Sequence, residues 1–508
     1  MCGFIFQLNK DKPVDNELFR KVLNGMSWRG PDAQKVITTE EGGVYFGHCR
    51  LSILDPVSRS DQPMVSACGR YLIIFNGEIY NHFELRRILS LNCKTNSDTE
   101  TVLEAFAKIG RDVFQMLEGM FSILIYDTKE HSWVLSRDAF GIKPLFISET
   151  DSKIVIGSES AAVAEIVNAA PDENSLIEWR LIRRPMPGKS FFEGVNEVLP
   201  GSILDSLGHQ SNHWSWKKNT EKYSQDVFED LMIKSVQSHE LSDVENVSLL
   251  SGGLDSAIIA AISKVDKCYT VGLESNNEFL GAEDTANQIK RSLSKILISS
   301  EELEASWRYL TKLRKEPLSL PNEGLIYAVC SKMQPMEKVV LTGEGADELL
   351  FGYDGIYKWS LKDYENIPDI FLKRYGYSED LATERLKDYV QNMMHGKSGI
   401  DFVEDFFYQV HLPGLLRRMD FASMAASKEA RVPFVDKNLI SYMYRRSSDI
   451  KINDSESKIP LRLFAKKLGL HGALERKKIG FSAQANKELT RQEDYKKFQQ
   501  IIMETLGW

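Results

Sequence analysis

Short hydrophobic runs alternate with polar stretches along the first 200 residues, and most of these runs have the length of a β-strand. Between them, three stretches place apolar residues at helical spacing, around residues 19–26, 83–90 and 99–108. Strands that outnumber helices in this way predict an α+β domain of layered sheets over about residues 1–200. The predicted strands lie at residues 2–8, 44–48, 71–75, 121–126, 133–136 and 154–157.

The second half has a different pattern, in which apolar strands alternate with helices. An apolar, partly β-branched run at 247–250 enters a Ser-Gly-Gly turn, and a run at helical spacing leaves it at 257–262. Two further apolar runs, 268–273 and 338–341, predict additional strands, which indicates an α/β domain with a doubly wound parallel sheet. From about residue 356 the pattern is mostly helical.

A polar and aromatic stretch separates the two patterns and predicts a linker over residues 201–224. Because a predicted helix at 225–239 leads into the second sheet, we expect domains at 1–200 and 225–508. A chain of 508 residues is long enough for two or three domains, each with its own core.

The composition is that of an ordinary globular protein, with 43% hydrophobic and 27% charged residues. A net charge of −9 argues against a nucleic-acid-binding protein, which would usually be basic. The six cysteines include no C-x-x-C pair and form no dense framework, so neither a zinc site nor a disulfide scaffold is indicated. No apolar run reaches the ~20 residues of a membrane span, and the first residues lack the basic start of a signal peptide, so we expect a cytoplasmic protein.

The sequence Ser251-Gly252-Gly253-Leu254-Asp255-Ser256 lies where the predicted strand turns into the predicted helix. Its two glycines allow backbone N–H groups to approach a ligand closely, and its two serines add hydroxyl groups. The positive end of the helix dipole completes a cradle for phosphate groups. An acid at position 255 suits such an anion site if it binds a magnesium ion on those phosphates. The simpler alternative is an ordinary βα turn with a Ser or Asp cap.

Cys2 begins the first predicted strand and suggests an N-terminal nucleophile. If Met1 is removed, one residue carries both a thiol and an α-amine, whose reference pKa of about 7.7–8.0 suits a general base near neutral pH. Such an amine is a recognised activator of thiol and hydroxyl nucleophiles. A cysteine at position 2 is otherwise more often incidental, so this prediction depends on its context.

That context is a series of short motifs along the first half of the chain. They are Met1-Cys2-Gly3, Arg29-Gly30-Pro31-Asp32, Arg50-Leu51-Ser52-Ile53, Asn76-Gly77-Glu78-Ile79-Tyr80-Asn81, Ser97-Asp98-Thr99-Glu100, Gly119-Met120-Phe121, Arg137-Asp138 and Gly141-Ile142-Lys143-Pro144-Leu145. In sequence and order they resemble those of class II glutamine amidotransferases, which release ammonia from glutamine at an N-terminal cysteine. The Ser-Gly-Gly-Leu-Asp-Ser loop in turn resembles the pyrophosphate loop of ATP pyrophosphatases. Over nearly its whole length the chain is similar to the glutamine-hydrolysing asparagine synthetase family.

The resemblance implies a glutamine site in the first domain, with a fold of the N-terminal nucleophile type. Cys2 would attack the amide carbonyl to form a thioester, and the Asn76 side chain with the Gly77 N–H would stabilise the oxyanion. Asn-Gly is also a strong hairpin signal, and a turn could present the same donors. Trp28 departs from the family, which commonly has histidine before Arg-Gly-Pro.

Three further residues would bind the substrate glutamine. Arg50 would hold the α-carboxylate through a forked ion pair, with a surface ion pair as the alternative. Glu78 and Asp98 would receive the α-ammonium group.

In the second domain the resemblance implies an ATP-pyrophosphatase fold with a helical C-terminal part, using ATP and Mg²⁺. Asp347 would share the magnesium ion with Asp255, and Glu344 would orient the acceptor or transfer a proton. Lys458 would neutralise charge on the adenylate; the alternative is a surface lysine near a helix start, which Pro460 would fit. The implied ATP-binding residues are Leu250, Ser251, Gly252, Gly253, Leu254, Asp255, Ser256, Val271, Thr342 and Gly343.

The implied reaction joins glutamine hydrolysis to the adenylation of a carboxylate, which ammonia then converts to an amide. Aspartate, giving asparagine, is the expected acceptor, and an internal passage would carry the ammonia. Phe421 and Ala422 stand where the family usually has Arg and Met, and Lys428 where an apolar residue is usual. The missing cation leaves open a sugar uronate or another biosynthetic carboxylate as acceptor. A β-lactam-forming relative fits less well, because such cyclases need no ammonia and this chain retains Cys2.

Two other classes of protein remain as alternatives. A tRNA-modifying pyrophosphatase is disfavoured by the acidic balance, and the short basic run 476–482 is more typical of a solvated surface. A non-catalytic binding protein would leave the glutamine-site motifs unexplained. We therefore expect small-molecule substrates, no nucleic acid and no membrane partner, and the family's habit of dimerisation suggests a homodimer.

Overall fold

The computed structural model describes residues 2–10, 13–39, 43–378, 382–476 and 491–508. They form two compact units. The first comprises Met1–Asp172, Pro187–Ser215 and Ser242–Val244, and the second comprises Glu173–Met186, Trp216–Leu241 and Glu245–Trp508. Residues 173–186, inside the first predicted domain, thus belong to the second unit, whereas 201–215, inside the predicted linker, belong to the first.

The first unit contains twelve described strands and five described α-helices. The strands are β1 (Cys2–Asn9), β2 (Ala33–Thr38), β3 (Val44–Arg50), β4 (Met64–Val65), β5 (Tyr71–Ile79), β6 (Gly119–Asp127), β7 (Ser132–Arg137), β8 (Phe146–Glu149), β9 (Lys153–Gly157), β10 (Asn196–Glu197), β11 (Ser202–Asp205) and β12 (Gln210–Asn212). The helices are α1 (Asn16–Gly25), α2 (His82–Ile88), α3 (Asp98–Ile109), α4 (Val113–Met116) and α5 (Ser160–Val167).

These strands form two six-stranded antiparallel sheets, in the orders β10-β8-β9-β1-β3-β2 and β12-β11-β7-β6-β5-β4. Along β5 the side chains alternate between two cores. Leu72 and Ile74 pack with Phe4 of the opposite sheet, whereas Ile73 and Phe75 pack with the helices on the outer face. Because both faces are buried, the strand reads as one apolar run with no polar alternation.

The predicted layered α+β arrangement is confirmed for this unit. Strands β2 and β12 escaped prediction because they are polar edge strands. β2 has no fully buried residue, and all three residues of β12 are exposed. A hydrophobic pattern marks only strands that bury a face.

The second unit contains five described strands and seventeen described α-helices. The strands are β13 (Glu245–Leu249), β14 (Lys267–Leu273), β15 (Ser292–Ile298), β16 (Glu337–Leu341) and β17 (Glu429–Arg431). The helices are α6 (Glu173–Ile182), α7 (Gln225–His239), α8 (Leu254–Ile262), α9 (Phe279–Gln288), α10 (Ser300–Arg314), α11 (Glu323–Ser331), α12 (Ala346–Leu349), α13 (Asp354–Lys362), α14 (Pro368–Tyr375), α15 (Glu384–Met394), α16 (Gly399–Phe406), α17 (Leu412–Met424), α18 (Lys437–Met443), α19 (Ser448–Lys451), α20 (Ile459–Lys467), α21 (His471–Glu475) and α22 (Arg491–Leu506).

The five strands pair in parallel in the order β15-β14-β13-β16-β17, which confirms the predicted doubly wound sheet. The chain moves outward in one direction from β13 through β14 to β15, and then returns to the other side of β13 at β16. Ligands of such sheets bind outside the carboxyl ends of the strands at this switch point. The loops that follow β13 and β16 are the two that carry the predicted ATP-site motifs.

Strand β17 was not predicted, because two of its three residues are charged. Glu429 and Arg431 are fully buried and pair with each other at 2.7 Å, so the strand satisfies its charges internally. The predicted helical C-terminal part is confirmed, with a core built around residues such as Phe371, Phe402 and Phe406. Among the described helices, none combines the length and the apolar character needed to cross a membrane.

Candidate active site

A cavity opens in the first unit beside the first residue of β1. Its lining includes five of the six predicted glutamine-site residues: Cys2, Arg50, Gly77, Glu78 and Asp98. The two sheets supply them together, since β1 and β3 belong to one sheet and β5 to the other. Further lining residues that were not predicted are Ser60, Gln62, Ser97 and Thr99, of which the last two lie in a motif quoted above.

The sixth predicted residue, Asn76, is held directly against the nucleophile. Its Oδ1 accepts a hydrogen bond from the Cys2 backbone nitrogen at 3.0 Å. Because that partner is a donor, the amide orientation is fixed and Nδ2 must point elsewhere. Nδ2 is buried and has no hydrogen-bond partner within the described residues. An unused buried donor beside a thiol is what an oxyanion site requires.

Gly77 lies inside strand β5, so the hairpin alternative for Asn76-Gly77 is wrong. The residue pairs with Phe121 on β6. A Cβ at this position would overlap the carbonyl oxygen of Met120, so no larger residue fits without moving the strands apart. The glycine therefore allows the two strands to approach closely at the cavity wall.

Arg50 is buried at the end of β3, directly opposite Cys2 in the antiparallel register. Its Nη1 donates to Asp61 at 2.7 Å and to the Val57 carbonyl at 2.8 Å, and its Nη2 donates to the carbonyls of Leu54 and Asp55. The guanidinium therefore fastens the loop that forms one side of the cavity. This buried network replaces the surface ion pair considered from sequence.

Arg29 is a positioning residue. It belongs to the motif Arg29-Gly30-Pro31-Asp32, but no role could be assigned to it from the sequence. Its side chain is fully buried, and Nε donates to the Cys2 carbonyl at 2.9 Å while Nη1 pairs with Glu159 at 2.5 Å. Gly30 lets this segment cross the backbone of β3 closely. The backbone of Cys2 is thus fixed through both its nitrogen and its carbonyl.

The remaining two carboxylates border the same cavity. Asp98 begins α3, and its Oδ2 accepts from the Ile79 N–H at 2.9 Å, which ties the helix start to the end of β5. Glu78 is buried beside the cavity. Burial raises the pKa of the Cys2 thiol above its ordinary value, although the nearby Arg50 charge opposes this shift. A base that removes the proton during attack is therefore needed near neutral pH.

In the second unit, the loop after β13 is shaped by its own serines. The Ser256 hydroxyl accepts from the Ser251 N–H at 3.0 Å, and the Ser251 hydroxyl accepts from the Gly253 N–H at 3.1 Å. Gly253 is the N-cap of α8, so the helix begins at Leu254, three residues before the predicted apolar run 257–262. The loop has the curvature and the helix N-terminus of a phosphate cradle.

The other predicted ATP-site residues gather around this loop or the strands beside it. Leu250 is buried and continues the pairing of β13 with β14, and Val271 is buried within β14. Thr342 donates through its N–H to the Arg431 carbonyl at 3.0 Å, so it extends β16. Gly343 approaches Ser256 so closely that a Cβ would press on the backbone at the start of α8. The two loops are therefore in contact at the switch point.

Lys458 joins the two predicted magnesium carboxylates. Its ammonium lies 2.6 and 2.7 Å from the two oxygens of Asp255 and 2.7 Å from Asp347 Oδ1. Burial by itself would lower the pKa of Lys458, but the charges of Asp255 and Asp347 outweigh it and raise the pKa. The lysine is therefore a buried, protonated residue at the start of α20, and the surface alternative is wrong. Gly352 leaves room for the group, since a Cβ there would overlap both Asp347 and Lys458.

Glu344 lies on the loop after β16, and its side chain pairs with Arg418 of α17. Arg418 also donates from Nη1 to Asn322 at 3.1 Å, and its Nε is buried without a hydrogen-bond partner in the described part of the chain. Burial raises the pKa of Glu344, while the charge of Arg418 opposes that shift. Sequence reasoning missed Arg418, although it lies three residues before the departure at Phe421.

The three departures from the family pattern in the second domain are all buried residues. The Phe421 ring lies 4.7 Å from the guanidinium carbon of the buried Arg314, which is a cation–π distance. Ala422 is fully buried within α17. Lys428 donates from its ammonium to the Gln334 carbonyl at 2.6 Å, so it fastens the turn before β16.

A buried hydrogen-bonded chain leads away from Glu348, the residue after Asp347. The Tyr353 hydroxyl donates to Glu348 at 2.7 Å and lies 3.1 Å from His411 Nε2. His411 Nδ1 lies 2.6 Å from the Tyr375 hydroxyl and 3.0 Å from Arg183 Nη2. Since a guanidinium only donates, Nδ1 accepts and Nε2 carries the proton. Burial and then the Arg183 charge lower the pKa of His411, which keeps the imidazole neutral.

Two protein-family models match this chain. A model described as a glutamine amidotransferase domain matches residues 1–218, and one described as asparagine synthase matches residues 227–506. The chain belongs to the asparagine synthase family. The glutamine-hydrolysing asparagine synthetase 1 of Bacillus subtilis is 30% identical over 95% of this chain and 87% of its own. The synthetase 3 of the same organism is 28% identical over 97% and 88%.

Two solved structures resemble parts of this family member. The glutamine phosphoribosylpyrophosphate amidotransferase of Bacillus subtilis has a TM-score of 0.34 at 15% identity, and covers 68% of this chain and 77% of its own. The NH3-dependent NAD synthetase of Campylobacter jejuni has a TM-score of 0.21 at 17% identity, with coverages of 39% and 94%.

Replacing Lys458 with methionine tests the ion-paired group. The variant Lys458→Met leaves two neighbouring carboxylates without their cation, so we expect a loss of about 3–5 kcal/mol in unfolding free energy. Added Mg²⁺ should raise its melting temperature more than that of the wild type, because the ion replaces the lost charge. Lys362→Met, which removes an exposed pair with Asp454, is the control and should change stability by less than about 1 kcal/mol. Equal melting temperatures for Lys458→Met and the wild type would contradict the assignment.

Proposed function

We propose that this chain is an ATP-dependent, glutamine-hydrolysing amidotransferase that converts aspartate to asparagine. The observation that carries the proposal is that one chain combines a buried thiol beside an unused amide donor with a lysine paired to two carboxylates at the switch point of a parallel sheet. The first arrangement suits ammonia release from an amide, and the second suits the cleavage of ATP. The glutaminase domain would span about residues 1–200 and the synthetase domain about 225–508.

Ammonia release would begin when the Cys2 thiol attacks the carboxamide carbon of glutamine. Once Met1 is removed, the α-amine of Cys2 takes the thiol proton, and Asn76 Nδ2 with the Gly77 N–H binds the oxyanion. Collapse of this intermediate breaks the C–N bond, returns the proton to the leaving ammonia and leaves a thioester. Water then hydrolyses the thioester to glutamate. Arg50, Glu78 and Asp98 would hold the amino-acid end of the substrate.

Adenylation would take place beside the loop Ser251–Ser256. One carboxylate oxygen of the acceptor attacks the α-phosphorus of ATP, and the bond to the β-phosphate oxygen breaks. The loop N–H groups bind the departing pyrophosphate, and the protonated Lys458 offsets its charge. Leu250, Val271, Thr342 and Gly343 would border the nucleoside. Ammonia then attacks the acyl carbon, Glu344 takes a proton from the attacking nitrogen, and AMP leaves with the electron pair of the C–O bond.

The residues present fit a magnesium ion. Mg²⁺ in nucleotide sites commonly uses one or two carboxylates together with phosphate oxygens and water. Asp255 and Asp347 supply two such carboxylates on the loops after β13 and β16, and within the described residues no cluster of three or more ligand side chains is gathered. These two residues would hold the ion, which supplies charge neutralisation and orientation to the phosphates when bound.

The acceptor is proposed from the relatives and from the positions of the unusual residues. The two Bacillus subtilis relatives described above are named glutamine-hydrolysing asparagine synthetases. Phe421 and Lys428 are engaged by Arg314 and Gln334, so their departure from the family pattern does not by itself call for another acceptor. The proposed substrates are small molecules. The net charge of −9 argues against a nucleic-acid partner, and a homodimer is proposed by analogy with the family.

An acceptor screen tests the proposed function. Pyrophosphate release is measured with ATP, Mg²⁺ and glutamine, while aspartate, a sugar uronate and other small carboxylates are supplied one at a time. We expect aspartate to stimulate release most strongly, with asparagine as the amide product. Stimulation by a uronate and none by aspartate would replace the proposed acceptor, and no stimulation by any carboxylate would overturn the proposed reaction.

Removing the thiol should separate the two half-reactions. In Cys2→Ala we expect glutamine-dependent amide formation to fall at least ~1,000-fold, because no covalent intermediate forms. Synthesis with ammonium chloride as nitrogen donor should change less than about twofold. Cys68→Ala, at an exposed cysteine, is the matched control and should retain both activities. Persistence of the glutamine-dependent reaction in Cys2→Ala would contradict the assigned nucleophile.

Adding one methyl group in the second unit should abolish the synthetase half-reaction and leave the glutaminase half-reaction intact. Gly352→Ala would displace Asp347 and Lys458, so we expect ATP-dependent pyrophosphate release to fall at least ~100-fold. Glutaminase activity should remain. Gly355→Ala, three residues on, has no heavy atom within 4 Å of the added Cβ and should retain both activities. Full synthetase activity in Gly352→Ala would show that the packed lysine is dispensable.

A further inference from the structure

Arg476 connects the loop Ser251–Ser256 to helix α9. It lies directly after α21, and 27% of its side chain is exposed. Nε donates to the Gly252 carbonyl at 3.1 Å, Nη1 donates to Asp284 Oδ2 at 2.8 Å, and Nη2 donates to the Thr285 hydroxyl at 2.6 Å. The three nitrogens of one guanidinium therefore bind three different residues, one in the loop and two in α9.

Two glycines leave the space that this guanidinium and its carboxylate partner occupy. A Cβ at Gly281 would lie 3.1 Å from both Arg476 Cδ and Gly252 Cα, so it would press on the arginine and on the loop together. A Cβ at Gly472 would overlap Asp284 Oδ2 and displace the carboxylate that binds Nη1. The backbone on both sides is thus shaped around the arginine.

The bond to Gly252 determines which polar groups of the loop face a ligand. Because a peptide group is planar and trans, a carbonyl held on one side directs the following N–H to the opposite side. The Gly253 N–H donates to the Ser251 hydroxyl at 3.1 Å, and the Gly253 carbonyl accepts from the Ala257 N–H. The carbonyls of both glycines are thus bound by protein donors. The first N–H groups of α8, which have no acceptor within the helix, are the donors left for phosphate oxygens.

The peptide between Gly252 and Gly253 needs an anchor because both residues are glycines. Their backbones have wide conformational freedom, so this peptide could rotate and turn its carbonyl towards the phosphates. A carbonyl oxygen in that position would repel phosphate oxygens, since both carry negative charge. The hydrogen bond from Arg476 opposes this rotation, and its charge makes the bond stronger than a neutral one.

We propose that Arg476 is a positioning residue for the pyrophosphate end of ATP, which holds the Gly252 carbonyl away from the phosphates so that N–H groups face them. This role rests on the proposed function and adds to it a residue outside the predicted ATP-site motifs. It also gives a role to the first residue of the basic run 476–482, for which the sequence favoured a solvated surface. Residues 477–482 of that run lie outside the described residues.

The variants Arg476→Met and Arg476→Gln isolate the hydrogen bond to Gly252. Both are neutral, and both lose the contacts with Asp284 and Thr285. They differ in one group, because Gln Nε2 stands where Arg Nε does and can donate, whereas the methyl group of Met cannot. Titration calorimetry measures the binding of pyrophosphate with Mg²⁺ and, separately, of AMP, so no acceptor is required. Lys234→Met, which removes an exposed cation paired with Asp230, is the control for loss of charge.

We expect pyrophosphate to bind about 10–50-fold more weakly to Arg476→Met, because a charge-assisted hydrogen bond is lost and the carbonyl is released. Arg476→Gln should stay within about fivefold of the wild type, because its amide keeps the carbonyl in place. AMP binding should change less than about threefold in both variants, since the nucleoside binds at the strand ends. Lys234→Met should match the wild type for both ligands.

Three outcomes would overturn the positioning role. Equal losses in Arg476→Met and Arg476→Gln would show that the charge or the contacts with α9 matter instead of the Gly252 bond. Equal weakening of AMP and pyrophosphate would show a general structural role. Unchanged pyrophosphate binding in Arg476→Met would show that the loop needs no anchor.

The same titrations separate this role from the proposed function. If the wild type binds neither AMP nor pyrophosphate, the proposed ATP site fails and the role of Arg476 fails with it. If the wild type and Arg476→Met bind both ligands equally well, the ATP site stands and only the role of Arg476 fails. Glutaminase activity and melting temperature confirm that each variant is folded.

Discussion

The contact between Lys458 and two aspartates is the interaction on which the second unit depends. It joins the loop after β13, the loop after β16 and the start of α20, three segments far apart in sequence. Lys458 itself adopts a left-handed backbone conformation with φ of 57°, at a cost of about 1–2 kcal/mol for a residue with a side chain. One buried cation between two anions offsets that cost and sets the distance between the loops.

Buried arginines perform the same task in the first unit. Arg29 and Arg50 each bind backbone carbonyls as well as a carboxylate, so each closes a network rather than a single pair. Arg29 fixes the segment that carries Cys2, and Arg50 fixes the cavity wall opposite it. Cys2, the proposed nucleophile, is therefore held in place by residues on both sides before any substrate binds, which would lower the cost of orienting it for attack.

Helix α17 carries a buried arginine at position 418, although it lacks the arginine that the family usually has at position 421. Positions three apart on a helix lie on neighbouring parts of one face, so a cation at 418 can serve a region near one at 421. Phe421 is instead packed beneath Arg314, and Arg418 reaches Glu344. Compared position by position, the motif lacks the usual arginine at position 421. The structure shows a cation one turn earlier on the same helix, at Arg418.

The two fold types could be predicted from the sequence, because they depend on local periodicity. The candidate glutamine-site and phosphate-loop residues could be selected from short motifs, and their roles stay predictions. Prediction from the sequence failed for features that depend on contacts between segments far apart in the chain. Polar edge strand β2, charged strand β17 and the placement of residues 173–186 have no local hydrophobic signal. Three features became visible only in the folded chain. Asn76-Gly77 lies within a strand, Lys458 lies between Asp255 and Asp347, and Arg418 pairs with Glu344. Each outcome depends on burial and charge contributed by distant segments, which no single stretch of sequence contains.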